Sequence, residues 1–276
     1  VPRTDLVELV RNSRKSAPHD QEAFWNNDLG LPYSPAEAAL THDAIVAAAS
    51  RGIPATDHYV GRNPRVAGLD VASERNLSMW VDELLPDGTS RALWLGEPET
   101  FQDAARILRV FGVHMTVVDA LPERRAARGL AATFPGRVVL AAYDGRNQAD
   151  AIRYDRKKNM VTINRTEGLD AFMEGIRAQR RLPTADISPR FIAQLMAPKR
   201  RTVEDAQGRP KREYVSTGDE GDDMAHAGVY AVAAASMWEL RQHVAQAVVE
   251  QDVGEPVDSE IHGFGRDDEY NPGFGR

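Results

Sequence analysis

The run from Arg65 to Glu97, RVAGLDVASERNLSMWVDELLPDGTSRALWLGE, constrains the fold more than any other part of the chain. It holds three apolar stretches of strand length, RVAGLDVAS, NLSMWVDELL and SRALWLGE, and the links between them are too short for a crossover. Strands joined so tightly must pair antiparallel, so the sequence predicts a three-stranded meander. The rhythm then changes. ETFQDAARILRVFG repeats Phe101, Ala105, Leu108 and Val110 or Phe111 at helical spacing, and Gly112 is placed to stop the helix. VHMTVVD reads as a strand, LPERRAARGLAATF as a helix with Pro122 in its first turn, and GRVVLAAY as a further strand. A meander followed by alternating helices and strands is an α/β pattern with a mixed sheet flanked by helices.

Outside this run, residues 1–64 read as a helical linker or N-terminal extension rather than as core, with FWNNDLGLPYSPAEA as a turn-rich connector before LTHDAIVAAAS. After it, NMVTINR suggests a short strand, TEGLDAFMEGIRAQRR a helix and PRFIAQLMA a shorter one. Residues 199–215 read as a basic hairpin turning at QGRP, and DDMAHAGVYAVAAASMWELRQHVAQAVVE as a long Ala-rich helix. The main domain is thus expected over residues 65–250. Residues 251–276, polar and rich in Gly and acids, read as a flexible acidic tail. Trp80, Trp94 and Trp238 are expected as core anchors.

One residue breaks the apolar pattern of the first strand, Asp70. Alternation places Val66, Gly68 and Asp70 on one strand face, and the same count places Met115, Val117 and Asp119 on one face of VHMTVVD. Both acids fall near the C-terminal ends of their strands. If those strands are parallel neighbours, Asp70 and Asp119 emerge at one sheet edge, where ligand sites of such sheets lie. Two carboxylates so placed repel, and one takes up a proton unless a cation neutralises the pair.

With no cysteine in the chain, any metal must be held by carboxylates and histidines. GDDMAHA supplies more of them: Asp223 and His226 are three apart on the last helix, and Asp222 is four before His226. Asp222 and Asp223 also suit a helix N-terminus, and either reading accounts for them singly. Together the acids match phosphodiester hydrolysis by two divalent ions roughly 3.5–4 Å apart, with oxygen ligands suited to Mg²⁺ or Mn²⁺. On this reading Asp70 bridges the ions, Asp119 holds one, and Asp223 with His226 the other, which favours Mn²⁺ because it accepts nitrogen readily. Glu97 and Glu123 rank lower, as surface or capping acids.

The formal net charge of −7 argues weakly against nucleic acid, but the distribution matters more than the sum. Lys199, Arg200, Arg201, Arg209, Lys211 and Arg212 concentrate on the hairpin, where a projecting β-ribbon would face phosphates. A solvated edge hairpin whose charges prevent aggregation is the competing reading.

The ordered set of GLDVAS, VVDALPE, INRTEGLDAF and DDMAHAGVYA resembles the nuclease domain of phage terminase large subunits, a ribonuclease H-like fold, over about residues 20–250. The resemblance implies a metal-dependent endonuclease that cuts concatemeric double-stranded DNA during genome packaging. It would work with a packaging ATPase, a terminase small subunit and a portal protein in the host cytoplasm, with no membrane involved. Two features depart from the pattern. The chain carries no GxxxxGK[ST] phosphate loop, so the motor is either in a longer chain or in a separate polypeptide. His226 also stands where many relatives have an acid, which leaves open whether Asp222 or Asp223 is the main ligand. The alternatives are another ribonuclease H-like nuclease, such as a junction resolvase, and a catalytically silent module that binds DNA or a partner.

Overall fold

A computed structural model describes residues 39–59, 61–144, 151–183, 187–204 and 210–253. Arg65–Ser73 (β1), Asn76–Leu84 (β2) and Ser90–Gly96 (β3) form the expected meander, with β1 antiparallel to β2 and β2 antiparallel to β3. Phe101–Val110 forms a helix, Met115–Asp119 a strand (β4), Arg124–Thr133 a helix and Val138–Asp144 a strand (β5). The first of these helices is capped by Thr100, whose hydroxyl accepts from the Asp103 amide, and it stops before Gly112, whose φ of 57° suits glycine.

β4 lies parallel to β1 and β5 parallel to β4, as the crossover helices require. Ile152–Asp155 (β6) and Met160–Asn164 (β7) complete the sheet: β7 extends the parallel set, and β6 closes the edge antiparallel to it. The seven-stranded order is β3-β2-β1-β4-β5-β7-β6. It is a mixed α/β sheet with flanking helices. Of these strands, β6 is the one that the sequence pattern did not give. Its residues, IRYD, carry charges on an edge, where they blunt further pairing, so no apolar alternation marks them.

Each sheet face carries its own core. His42–Ser50 (α1), Arg165–Ala178 (α4) and the start of Asp223–Val253 (α6) cover the face that shows Val66, Met115 and Val117; the helices at 101–110 (α2) and 124–133 (α3) cover Ala67, Leu69 and Val118. The alternation that isolated Asp70 in the sequence is therefore real. Leu40, Ile45 and Ala48 of the segment read as linker are buried in the first core. The earlier part of that segment, residues 1–38, lies outside the described residues, as does the tail from 254 onward. The chain divides into two compact units, Val1–Glu239 and Leu240–Arg276.

Trp80 is fully buried, edge-on to Phe172, and its indole N–H donates to Asp82 at 2.6 Å. Burial pushes the Asp82 carboxyl up, only partly offset by Arg180, whose Nη1 stands 2.6 Å from Asp82 Oδ2. Both charges are out of water, so removing one strands the other. Arg180→Met is expected to cost about 3 kcal/mol in chemical denaturation. A stability close to wild type would show that this pair is dispensable.

Candidate active site at the C-terminal sheet edge

β1 and β4 pair with Leu69 opposite Val118, so the next residues, Asp70 and Asp119, come out side by side at the C-terminal edge. Asp70 is only 7% exposed, and among the described residues no group donates a hydrogen bond to its carboxylate. Burial raises its pKa well above the ordinary value, and the nearby charges of Asp119, Asp223 and Asp222 raise it further, with Arg165 opposing. Directly across on β2, the buried Ser78 hydroxyl has no partner among the described residues either. An orphaned hydroxyl beside an orphaned carboxylate marks a place built for something the chain does not itself supply.

Gly68 explains how the last helix reaches these strands. A Cβ there would lie 2.0 Å from the Ala227 carbonyl oxygen and 2.3 Å from the Ala231 amide nitrogen, so α6 crosses β1 in direct backbone contact. Gly228 admits the Phe172 ring of α4 from the other side in the same way. The room that Gly68 leaves beside Asp70 is thus filled by α6 itself. Pro189–Met196 (α5) fixes where α6 begins: buried Gln194 donates to the Glu220 carbonyl and accepts from the Met224 amide. This delivers Asp222, Asp223 and His226 to the sheet edge.

The remaining acids differ in their surroundings. Asp119 accepts from the Leu121 amide and from Tyr230 Oη, each at 2.9 Å; burial raises its pKa all the same. Burial raises Asp223 as well, with Asp222 adding to it. Burial pushes Asp222 up too, but His226 and Arg165 outweigh it and hold this carboxyl below the ordinary value.

His226 is engaged at both ring nitrogens: Nδ1 is 2.7 Å from Tyr143 Oη, and Nε2 is 3.3 Å from Asp222 Oδ2 and 3.2 Å from Arg165 Nη2. Unprotonated, Nε2 accepts from Arg165; protonated, it donates to Asp222. Tyr143 also stacks on Tyr230, so an aromatic pair joins His226 to Asp119. Among the described residues no three His, Asp or Glu side chains are already gathered closely enough to hold an ion. The donor set nevertheless suits a hard divalent cation: carboxylates with raised pKa values around a buried, unpartnered one.

Sequence reasoning did not single out Arg165, Tyr143, Tyr230 or Ser78. A signal for Arg165 was present in INRTEG, where Asn164 caps α4 by accepting from the Thr166 and Glu167 amides. That cap puts Arg165 at the end of β7, on the same sheet edge. Glu97 pairs with Arg190 at 2.6 Å and keeps a buried Oε1 without a partner among the described residues, while Glu123 precedes α3 without a capping bond.

The basic hairpin forms as Pro198–Glu204 (β8) and Pro210–Ser216 (β9). Lys199 is exposed. The Arg200 side chain is buried, 3.3 Å from Asp170, which also accepts from Tyr214 Oη at 2.5 Å, so Arg200 anchors the hairpin to α4. Arg201, Arg212 and Lys211 occupy the ladder opposite Glu213, Thr202 and Val203, and Arg209 falls outside the described residues.

No protein-family model matches the chain, and no curated protein does. Among solved structures it is similar to the large terminase nuclease from thermophilic phage G20c, at 13% identity over 69% of this chain and 97% of that one, TM-score 0.41. It is also similar to the nuclease domain of the large terminase subunit gp2 of bacterial virus Sf6, at 12% identity over 69% and 96%, TM-score 0.45. A third is the yeast mitochondrial Holliday junction resolvase Ydc2, at 9% identity over 69% and 84%, TM-score 0.29. The G20c nuclease has been solved with bound magnesium and with bound cobalt. Among the described residues no helix is long and apolar enough to cross a membrane.

Proposed function

We propose that this chain is a divalent-metal-dependent endonuclease acting on double-stranded DNA, the nuclease part of a phage packaging terminase. The observation that carries the reading is Asp70: a buried carboxylate with no donor among the described residues, facing three further acids from a second strand and a helix. Asp70 and Asp119, with Asp222 or Asp223, would hold the metal, which supplies charge neutralisation at the scissile phosphate and activation of the attacking water.

The chain's own residues supply the rest. β1 and β4 hold two acids in fixed register, Gln194 and Gly68 fix the approach of α6, and Tyr230 and the Leu121 amide orient Asp119. Two ions and a preference for Mn²⁺ belong to this proposal, and a nitrogen ligand at His226 would require its bonds to Asp222 and Arg165 to open. If His226 binds the metal, His226→Asp narrows the gap between Mn²⁺- and Mg²⁺-supported cleavage; if the ring only orients Asp222, the ratio of the two rates stays the same. DNA is the substrate, and the packaging ATPase, in the same chain or a separate one, the small terminase subunit and the portal are the partners, in the host cytoplasm.

Substrate shape tests the assignment. Linear and supercoiled duplex are expected to be cut with little sequence preference. A strong preference for four-way junctions would make the chain a resolvase, and metal-independent DNA binding without cleavage would make it a binding module.

The hairpin is proposed to touch the duplex backbone. Charge reversal by Lys199→Glu and Lys211→Glu is expected to weaken binding equally on unrelated sequences. It should also flatten the salt dependence, by about one unit of log–log slope for each phosphate that the hairpin ceases to neutralise. An unchanged slope would remove the hairpin from the interface.

A further inference from the structure

One charged group that the proposed chemistry does not use stands inside the acid cluster. Arg165 Nη2 lies 3.3 Å from Asp222 Oδ2 and 3.2 Å from His226 Nε2, while Nη1 donates to the Tyr214 carbonyl of β9 at 3.2 Å. A single guanidinium nitrogen therefore faces an oxygen and a nitrogen that are both candidate metal ligands. We propose that Arg165 is an internal counter-ion which occupies the cation position between Asp222 and His226 in the metal-free protein and competes with a divalent ion for it. The inference rests on the metal-binding reading of this site.

The charge balance supports it. Four carboxylates converge here, and the Arg165 charge opposes the rise at Asp70 and helps hold Asp222 down. Without a cation the acids would repel or take up protons, and both raise the free energy of the empty site. A cation supplied by the chain lowers it. An arriving ion must then displace the guanidinium or bind beside it, and either weakens the ion's apparent affinity. The bond to Tyr214 gives the displaced side chain a place to remain, on the backbone of the basic hairpin.

The position of Arg165 at the start of α4 makes the exchange a side-chain event. Asn164 caps the helix through its own side chain, so Arg165 is free of that task. Its side chain is 39% exposed, which leaves room for it to swing outward.

Calorimetric titration of Mn²⁺ into the metal-stripped chain tests the proposal, with Arg165→Gln and Arg165→Lys beside wild type and thermal melts in chelator and in saturating Mn²⁺. Arg165→Gln is expected to bind Mn²⁺ at least about fivefold more tightly, since a positive charge a few ångströms from the ion is removed. Its melting midpoint should fall in chelator and recover most of the difference in Mn²⁺. Arg165→Lys, which restores the charge without the planar fork, should bind Mn²⁺ like wild type. Equal or weaker binding by Arg165→Gln overturns the counter-ion role, and so does an Arg165→Lys variant that behaves like Arg165→Gln. Absence of Mn²⁺ binding by wild type, with no effect on its melting, overturns the metal reading itself and this inference with it.

Discussion

Asp70→Ala is expected to abolish metal-dependent DNA cleavage while leaving the metal-free protein at least as stable as wild type. The loss of activity should be on the order of a thousandfold or more, beyond the 10–100-fold typical of partners that only orient a ligand. Both halves follow from one observation. Asp70 is buried without a donor and is surrounded by like charge, so its ionised form destabilises the empty fold. Its folded pKa lies above the unfolded value, so the folded state holds a proton that the unfolded chain has released. In chelator, the contribution of Asp70 to wild-type stability is therefore greatest at low pH and declines as pH rises from the ordinary aspartate range to the raised value. Asp70→Ala should flatten that part of the profile, read from denaturation midpoints across pH. A variant that fails to fold would contradict the account, and one that cleaves normally would remove Asp70 from the site.

Gly68→Val is expected to damage fold and site together. Its first added carbon would meet two backbone atoms of α6, at 2.0 and 2.3 Å, and backbone cannot rotate away as a side chain can. α6 has nowhere to retreat, because Gly228 already lies against the Phe172 ring. The cost should exceed the roughly 1–3 kcal/mol of ordinary overpacking. Whatever fraction folds should hold Asp222 and Asp223 away from Asp70 and cut DNA poorly. Denaturation and single-turnover cleavage on the same preparation would measure both effects. Normal stability with normal cleavage would mean that α6 does not cross β1 as described.

The meander, the crossover helices and the face bearing Asp70 were legible because they depend on local signals: linker length, helical spacing and strand alternation. The helix between β3 and β4 allows a parallel pairing of β1 with β4 without dictating it, and that pairing is what brings Asp70 and Asp119 together. What was not legible depends on residues distant in sequence. Arg165 meets His226 across 61 positions and Tyr143 meets it across 83, and no short pattern records such a pair. Arg200 looked like its neighbours on the hairpin, and only the buried Asp170 and Tyr214 of the fold distinguish it. Leu40, Ile45 and Ala48 lie in the segment that reads as a linker or extension, and α4 and the sheet, distant in sequence, supply their burial.

Whether the acid cluster around Asp70 makes this chain a metal-dependent nuclease is tested most directly by incubating the purified chain with supercoiled plasmid in Mn²⁺, with and without excess chelator, beside Asp70→Asn, and resolving nicked and linear products on a gel. Nicked and linear plasmid are expected in Mn²⁺ with wild type alone, and intact plasmid with chelator or with Asp70→Asn. Intact plasmid with wild type in Mn²⁺, or cleavage that survives both chelator and Asp70→Asn, would contradict the claim.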